Sequence, residues 1–254
     1  MKENKQHFSK SKLLKPLTAI YFFVAFVEII AEYYKDYFFI SITKPLLMPI
    51  LIGIYLCSSK KTSRIFILSL ITVWMANLFF ISGTIQSTNF GMLFFLLYLV
   101  LIIFMIVKMI KFPGYIPMIL GGLPFLLIYV LILNTAYNEP ANSFPLIIIQ
   151  GLFMIFFGGI CLGNYIVKAN KSNTYLLLST IFFTVMQFIL IIKVFYLHIN
   201  IYRPLAMLLF VCAQFLLCKF TLLEEMKKKK KSYLILNKNS QGVNTSQQND
   251  LQHT

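Results

Sequence analysis

Apolar runs long enough to cross a bilayer, separated by short basic or neutral breaks, leave this chain little choice of fold. The runs are Leu17–Phe38, Ile42–Cys57, Ile65–Ile81, Phe90–Val107, Ile116–Leu133, Phe144–Val167, Tyr175–Leu197 and Ile201–Phe220. In hydrocarbon every backbone N–H and C=O must be paired within its own helix or around a closed barrel. Barrel strands would alternate polar and apolar residues over ~10 positions, and these runs do not alternate. Only 12% of the 254 residues are charged, against about 25% in a soluble domain. The expected fold class is therefore all-α: a polytopic membrane helical bundle of about eight transmembrane helices. Its expected parts are a basic N-terminal arm (1–16), the transmembrane domain (17–220) and a basic, polar, disordered tail (221–254).

The distribution of charge predicts the orientation. The formal charge of +15 suggests nucleic acid at first, but 19 of the 23 basic residues fall on one side of the alternating breaks. They are in the arm (Lys2 to Lys15), at Lys60, Lys61 and Arg64, at Lys108 and Lys111, at Lys168 and Lys171, and in the tail from Lys219 to Lys238. The opposite breaks carry Lys35, Lys44 and Arg203, and Lys193 lies inside a run. Such asymmetry marks the cytoplasmic side. Both termini are expected there, the protein is expected in a cell membrane (a bacterial inner membrane above all), and nucleic acid is excluded as a partner. The run Lys227–Lys231 reads as a solvated stop signal, with anionic headgroups as its other use.

Other features exclude chemistry. The run after the basic arm is too long for a signal peptide, contains Glu28 and Glu32, and lacks a small-residue cleavage site, so it reads as a retained first helix. Cys57, Cys161, Cys212 and Cys218 show neither CxxC nor Cys/His spacing and read as packing residues, with no metal or other cofactor expected.

Polar residues inside the runs are few enough to place by depth. Glu28 lies near the middle of the first run, and Glu32 one turn further out on the same face. Lys44, Asn77, Gln150, Gln187 and Lys193 also fall in the outer half, while Gln214 falls in the inner half. Asn and Gln commonly join membrane helices by hydrogen bonds. Buried carboxyls and ammoniums are more costly and turn toward the bundle interior or an aqueous cavity. Glu28, Glu32, Lys44, Asn77, Gln187 and Lys193 are therefore expected to line one polar cavity, with helices one, two, three and seven as neighbours.

The segment TKPLLMPILIGIYL (Thr43–Leu56), following an acid-bearing first helix, resembles the signature of the lysoplasmalogenase-like (YhhN) membrane proteins. VWMANLFF (Val73–Phe80) is similar to that family's third helix, and FTVMQFILIIKVF (Phe183–Phe195) to its Ser-Asp-containing helix. Ala213-Gln214 matches the Ala-Gln of its last helix. Where the family pattern has Asp, this chain has Asn77 and Gln187.

The resemblance implies hydrolysis of the vinyl-ether bond of a lysoplasmalogen, a lyso-ether phospholipid, with release of a fatty aldehyde. That reaction protonates the enol-ether carbon and adds water to the oxocarbenium ion, so it needs an acid and a water-activating group. Amides supply neither, which leaves Glu28 and Glu32 as the catalytic candidates. Two other readings stay open: a catalytically silent relative that binds a lipid or partner, and a small ion-coupled transporter resting on the intramembrane Glu pair. Transporters often show broken helices and repeats, and neither is evident here.

Overall fold

The computed structural model describes residues 2–59, 62–136, 144–195 and 200–250; side chains are described from 13 to 229, except at 132, 135, 136, 144, 191 and 193–195 and within the gaps. Among the described residues eight helices follow one another: α1 (Lys2–Tyr34), α2 (Tyr37–Ser58), α3 (Arg64–Phe79), α4 (Ile85–Met109), α5 (Tyr115–Ala136), α6 (Phe144–Val167), α7 (Lys171–Phe195) and α8 (Tyr202–Asp250). Among the described residues six of them (α1, α2, α4, α6, α7 and α8) are long and apolar enough to cross a membrane. Of the other two expected spans, α3 (Arg64–Phe79) is short, while α5 has the same length as α2, 22 residues, and shows an apolar stretch, Tyr115–Leu131, among the residues with described side chains. At ~1.5 Å per residue α3 reaches about 24 Å, short of a hydrocarbon core of about 30 Å. It ends early because Phe80 and Ile81 tighten into a turn, followed by Gly83 at φ +67°. The backbone of α8 continues to Asp250, through the segment that the sequence reads as a disordered tail.

The helices run alternately up and down. Glu28 meets Thr43 and Glu32 meets Lys44 across α1 and α2, while Trp74 reaches Pro45 and Phe66 reaches Tyr55 across α3 and α2. Ser179 donates to the Ala213 carbonyl at 2.8 Å, with Phe183 against Phe210, so α7 and α8 are antiparallel. Neighbouring pairs close a ring in the order α1, α2, α3, α4, α6, α7, α8 and back to α1, with α5 outside on α6 and α7.

In α1, side-chain placement inverts the soluble pattern. Helix α1 buries Tyr21, Ala25, Glu28, Ala31 and Glu32 and exposes Phe22, Phe23, Phe26 and Ile30. Lipid solvates phenylalanine as well as a protein core does, so on this helix small and polar groups take the inner face. Close approach of α5 and α6 follows the same logic. A Cβ on Gly159 would stand 2.7 Å from the Met118 carbonyl, and one on Gly163 2.7 Å from that of Pro117. With no side chains between them the two backbones touch, as small-xxx-small spacing permits. Gln150 donates to the Met92 carbonyl at 2.7 Å, joining α6 to α4, which is the adhesive use of an intramembrane amide.

Candidate functional site

A tight turn builds the site. Lys35 adopts the left-handed region (φ 58°), and the Asp36 side chain accepts from the N–H groups of Phe38 and Phe39 at 3.1 and 3.3 Å. Asp36 is thus the N-cap of α2, satisfying donors that a new helix leaves unpaired. This reversal falls inside the run Leu17–Phe38 rather than after it, because an Asp that caps a helix outweighs the apolar residues around it. Tyr33, Tyr34, Tyr37, Phe38 and Phe39 are exposed around the turn, the placement of an interfacial aromatic belt.

The turn sets the last two turns of α1 against the first two of α2. Glu28 (0% exposed) and Glu32 (5%) face Thr43 and Lys44 (8%). Lys44 Nζ lies 2.5 Å from Glu32 Oε1 and 3.7 Å from Glu28 Oε1. The Thr43 hydroxyl donates to Glu28 Oε2. Arg203, in the first turn of α8, brings Nη1 to 3.8 Å from Glu32 Oε2. Two acids and two bases from three helices therefore compensate one another, which burial demands. Compensation is incomplete in hydrogen bonds: Glu28 Oε1 and Glu32 Oε2 are buried and accept none. The pair lies inside the end of α1, Glu28 six residues and Glu32 two residues from it, about 9 and 3 Å, and Arg203, about one-third exposed, stands at the edge of the group.

Of the six residues expected to share a cavity, Glu28, Glu32 and Lys44 are brought together. Asn77 is buried toward the end of α3, and its Nδ2 has no hydrogen-bond partner. Gln187 is half-buried on α7. No hydrogen bond or ion pair among the described residues joins either amide to the Glu pair. Helices α1, α2 and α3 are consecutive neighbours, but α7 packs on α8, α6 and α5, so α8 stands between Gln187 and α1 in the ring. The Lys193 side chain lies outside the described residues.

Arg203 and Thr43 are participants that the sequence reading missed. Arg203 had a signal: it is one of three basic residues in the poorly basic breaks, and up-and-down order places the start of α8 beside the end of α1. Glu225 was missed as well, assigned to a tail. At the opposite end of the bundle it accepts from the Tyr55 hydroxyl and, at 2.6 Å, from that of Ser59, and Tyr55 in turn accepts from the Ser63 N–H at 2.7 Å. This network ties α8 to the end of α2 and leaves neither Glu225 oxygen without a donor. Gln214 is fully buried on α8 near the Tyr98 hydroxyl, with no well-formed hydrogen bond on its amide.

Among the described residues no group of His, Cys, Asp and Glu is arranged to hold a metal ion. No family model matches the chain, and neither a curated protein nor a solved structure matches it. What the bundle itself establishes is a multi-pass, all-α protein of the cell membrane with several apolar helices.

Proposed function

We propose that this is a lipid-handling membrane protein whose Glu28–Lys44–Glu32–Arg203 cluster receives the polar headgroup of a membrane lipid. The observation that carries this reading is the pair of buried carboxylate oxygens, Glu28 Oε1 and Glu32 Oε2, that accept no hydrogen bond although cations stand 3.7 and 3.8 Å away. An open acceptor beside a cation matches a headgroup that carries an ammonium and a phosphate together. The ammonium fills the acceptors, and the phosphate meets Arg203 at the edge of the cluster. Asn77, with its open Nδ2 donor, would be the next polar group such a ligand meets at this end of the bundle.

The test is binding of lysophosphatidylethanolamine to the purified protein, read by native mass spectrometry. Glu28→Gln/Glu32→Gln is expected to weaken retention at least tenfold. Equal retention of this lipid by parent and variant overturns the reading.

A second reading adds chemistry at the same cluster and draws on the resemblance to lysoplasmalogenases. Two carboxylates one turn apart can divide acid and base roles. One protonates the enol-ether carbon remote from oxygen, and the other takes a proton from the water that attacks the oxocarbenium carbon. The hemiacetal then collapses to a fatty aldehyde and a glycerophospho-alcohol. Lys44 between the two carboxylates, and amides where the family pattern has Asp, favour binding without turnover. Aldehyde release from a lysoplasmalogen that is abolished by Glu32→Gln would establish the second reading; retention of the lipid without aldehyde would leave the first.

A further inference from the structure

At the basic end of the bundle three lysines lie against aromatic rings. The Lys108 ammonium lies over the Phe104 ring at 4.0 Å, that of Lys171 over Tyr175 at 6.0 Å, and that of Lys219 over Phe215 at 5.0 Å. Each ring is four residues away and deeper in the bundle: Phe104 and Phe215 precede their lysines in helices that run toward this end, and Tyr175 follows Lys171 in one that runs away from it. Snorkelling lysines reach outward to water. Lys108 and Lys219 instead lie back over rings one helical turn, ~5 Å, nearer the hydrocarbon, while Tyr175 leans toward Lys171.

Helix α8 brings more charge to the same place. Beyond the apolar stretch, the Lys228 ammonium donates to the Lys108 carbonyl at 2.8 Å, and that of Lys227 lies 3.4 Å from Asn170 Oδ1. One helix thus touches both the end of α4 and the turn between α6 and α7, where Lys168 and Lys171 are exposed. A topogenic signal requires basic residues in these breaks, but not their convergence. Among the described residues no carboxylate lies within ion-pair distance of Lys108, Lys171 or Lys228, and the acids nearby are engaged: Glu224 by Lys227, and Glu225 by Tyr55 and Ser59.

We propose that Lys108, Lys171 and Lys228 form a binding site for the phosphate of an anionic phospholipid in the leaflet at the basic end. Ammoniums held against Phe104, which is exposed, and Tyr175, which is half-buried, fit the level where lipid phosphates meet acyl chains. That level favours a lipid over a soluble anion or an acidic protein, whose charges would stay in water. The site is separate from the Glu28–Lys44 cluster at the other end of the bundle, and the two proposals stand or fall independently.

The test uses the full chain in detergent, titrated with phosphatidylglycerol, phosphatidylcholine or inorganic phosphate, with bound lipid counted by native mass spectrometry. Phosphatidylglycerol is expected to bind at least tenfold tighter than phosphatidylcholine, with the preference weakening as salt rises. Each of Lys108→Gln, Lys171→Gln and Lys228→Gln is expected to lower phosphatidylglycerol affinity by roughly fivefold, the usual weight of one lysine at an anionic surface. Lys228→Arg keeps the charge and is expected to restore most of it, which separates lost binding from lost folding; Lys35→Gln at the far end is expected to change nothing. Equal binding of the two lipids would show that the lysines serve insertion alone and overturn the site. Displacement of the lipid by millimolar phosphate would assign the cations to a soluble anion and overturn it equally.

Discussion

The indole N–H of Trp74 donates to the carbonyl of Pro45 at 2.8 Å, and the residue that would normally satisfy that carbonyl, four positions on in α2, is Pro49. Proline has no N–H, so α2 carries a gap in its hydrogen-bond ladder. A gap facing hydrocarbon costs far more than one facing water. Trp74 fills it from α3. Trp74→Phe is therefore expected to destabilise the bundle by about 1–3 kcal/mol, the cost of an unpaired buried carbonyl. Pro49→Ala should supply the missing donor and recover most of that loss in the double variant. Thermal denaturation in detergent measures both, and additive effects of the two changes would show that the carbonyl is not what couples them.

Lys44 answers to two carboxylates at once. Lys44→Met leaves both buried without their shared cation, and about 3–5 kcal/mol of stability is expected to go with it. The triple change Glu28→Gln/Glu32→Gln/Lys44→Met removes all three charges and should be more stable than Lys44→Met alone. If Lys44→Met melts like the parent, the cluster is open to water and the reading of it as buried fails.

The α5–α6 contact makes a steric prediction. Gly159→Val puts atoms where the Met118 backbone stands, and Gly163→Val does so at Pro117, so each should cost at least ~1–3 kcal/mol or abolish folded protein. Gly53→Ala meets only the Leu17 side chain at 3.3 Å and should be tolerated. Yield of monodisperse protein by size-exclusion chromatography compares the three, and a well-behaved Gly159→Val would mean that the two helices separate readily.

Orientation rests on the segregation of basic residues, 19 of 23 on one side. Reporter fusions after Lys111 and Lys171 are expected to report the cytoplasm, and fusions near Gln86 and Asn138 the opposite face. A single reversed pair would mean that one helix, the short α3 first of all, does not cross.

The sequence by itself determined the class of the fold, the number of helices and most of their places, since hydrocarbon forbids unpaired backbone and each apolar run must pair its own. Phe144–Val167 is the same in the sequence reading and the structure, and the pairing of Glu28 and Glu32 on one face follows from helical spacing. Helix ends were less legible where a polar cap competes with apolar neighbours, as at Asp36, or where a turn tightens, as at Phe80. Depth could be counted along each helix, but the facing of one helix toward another could not, because nearly every face of these helices is apolar and lipid accepts any of them. Only the tertiary structure decided that Arg203 completes the Glu32 contact, that Glu225 belongs to the bundle, and that α8 stands between Gln187 and α1. Those relationships depend on packing: where backbones touch at glycine, which carbonyl a proline leaves open, and which buried charge finds its counterpart across a helix boundary.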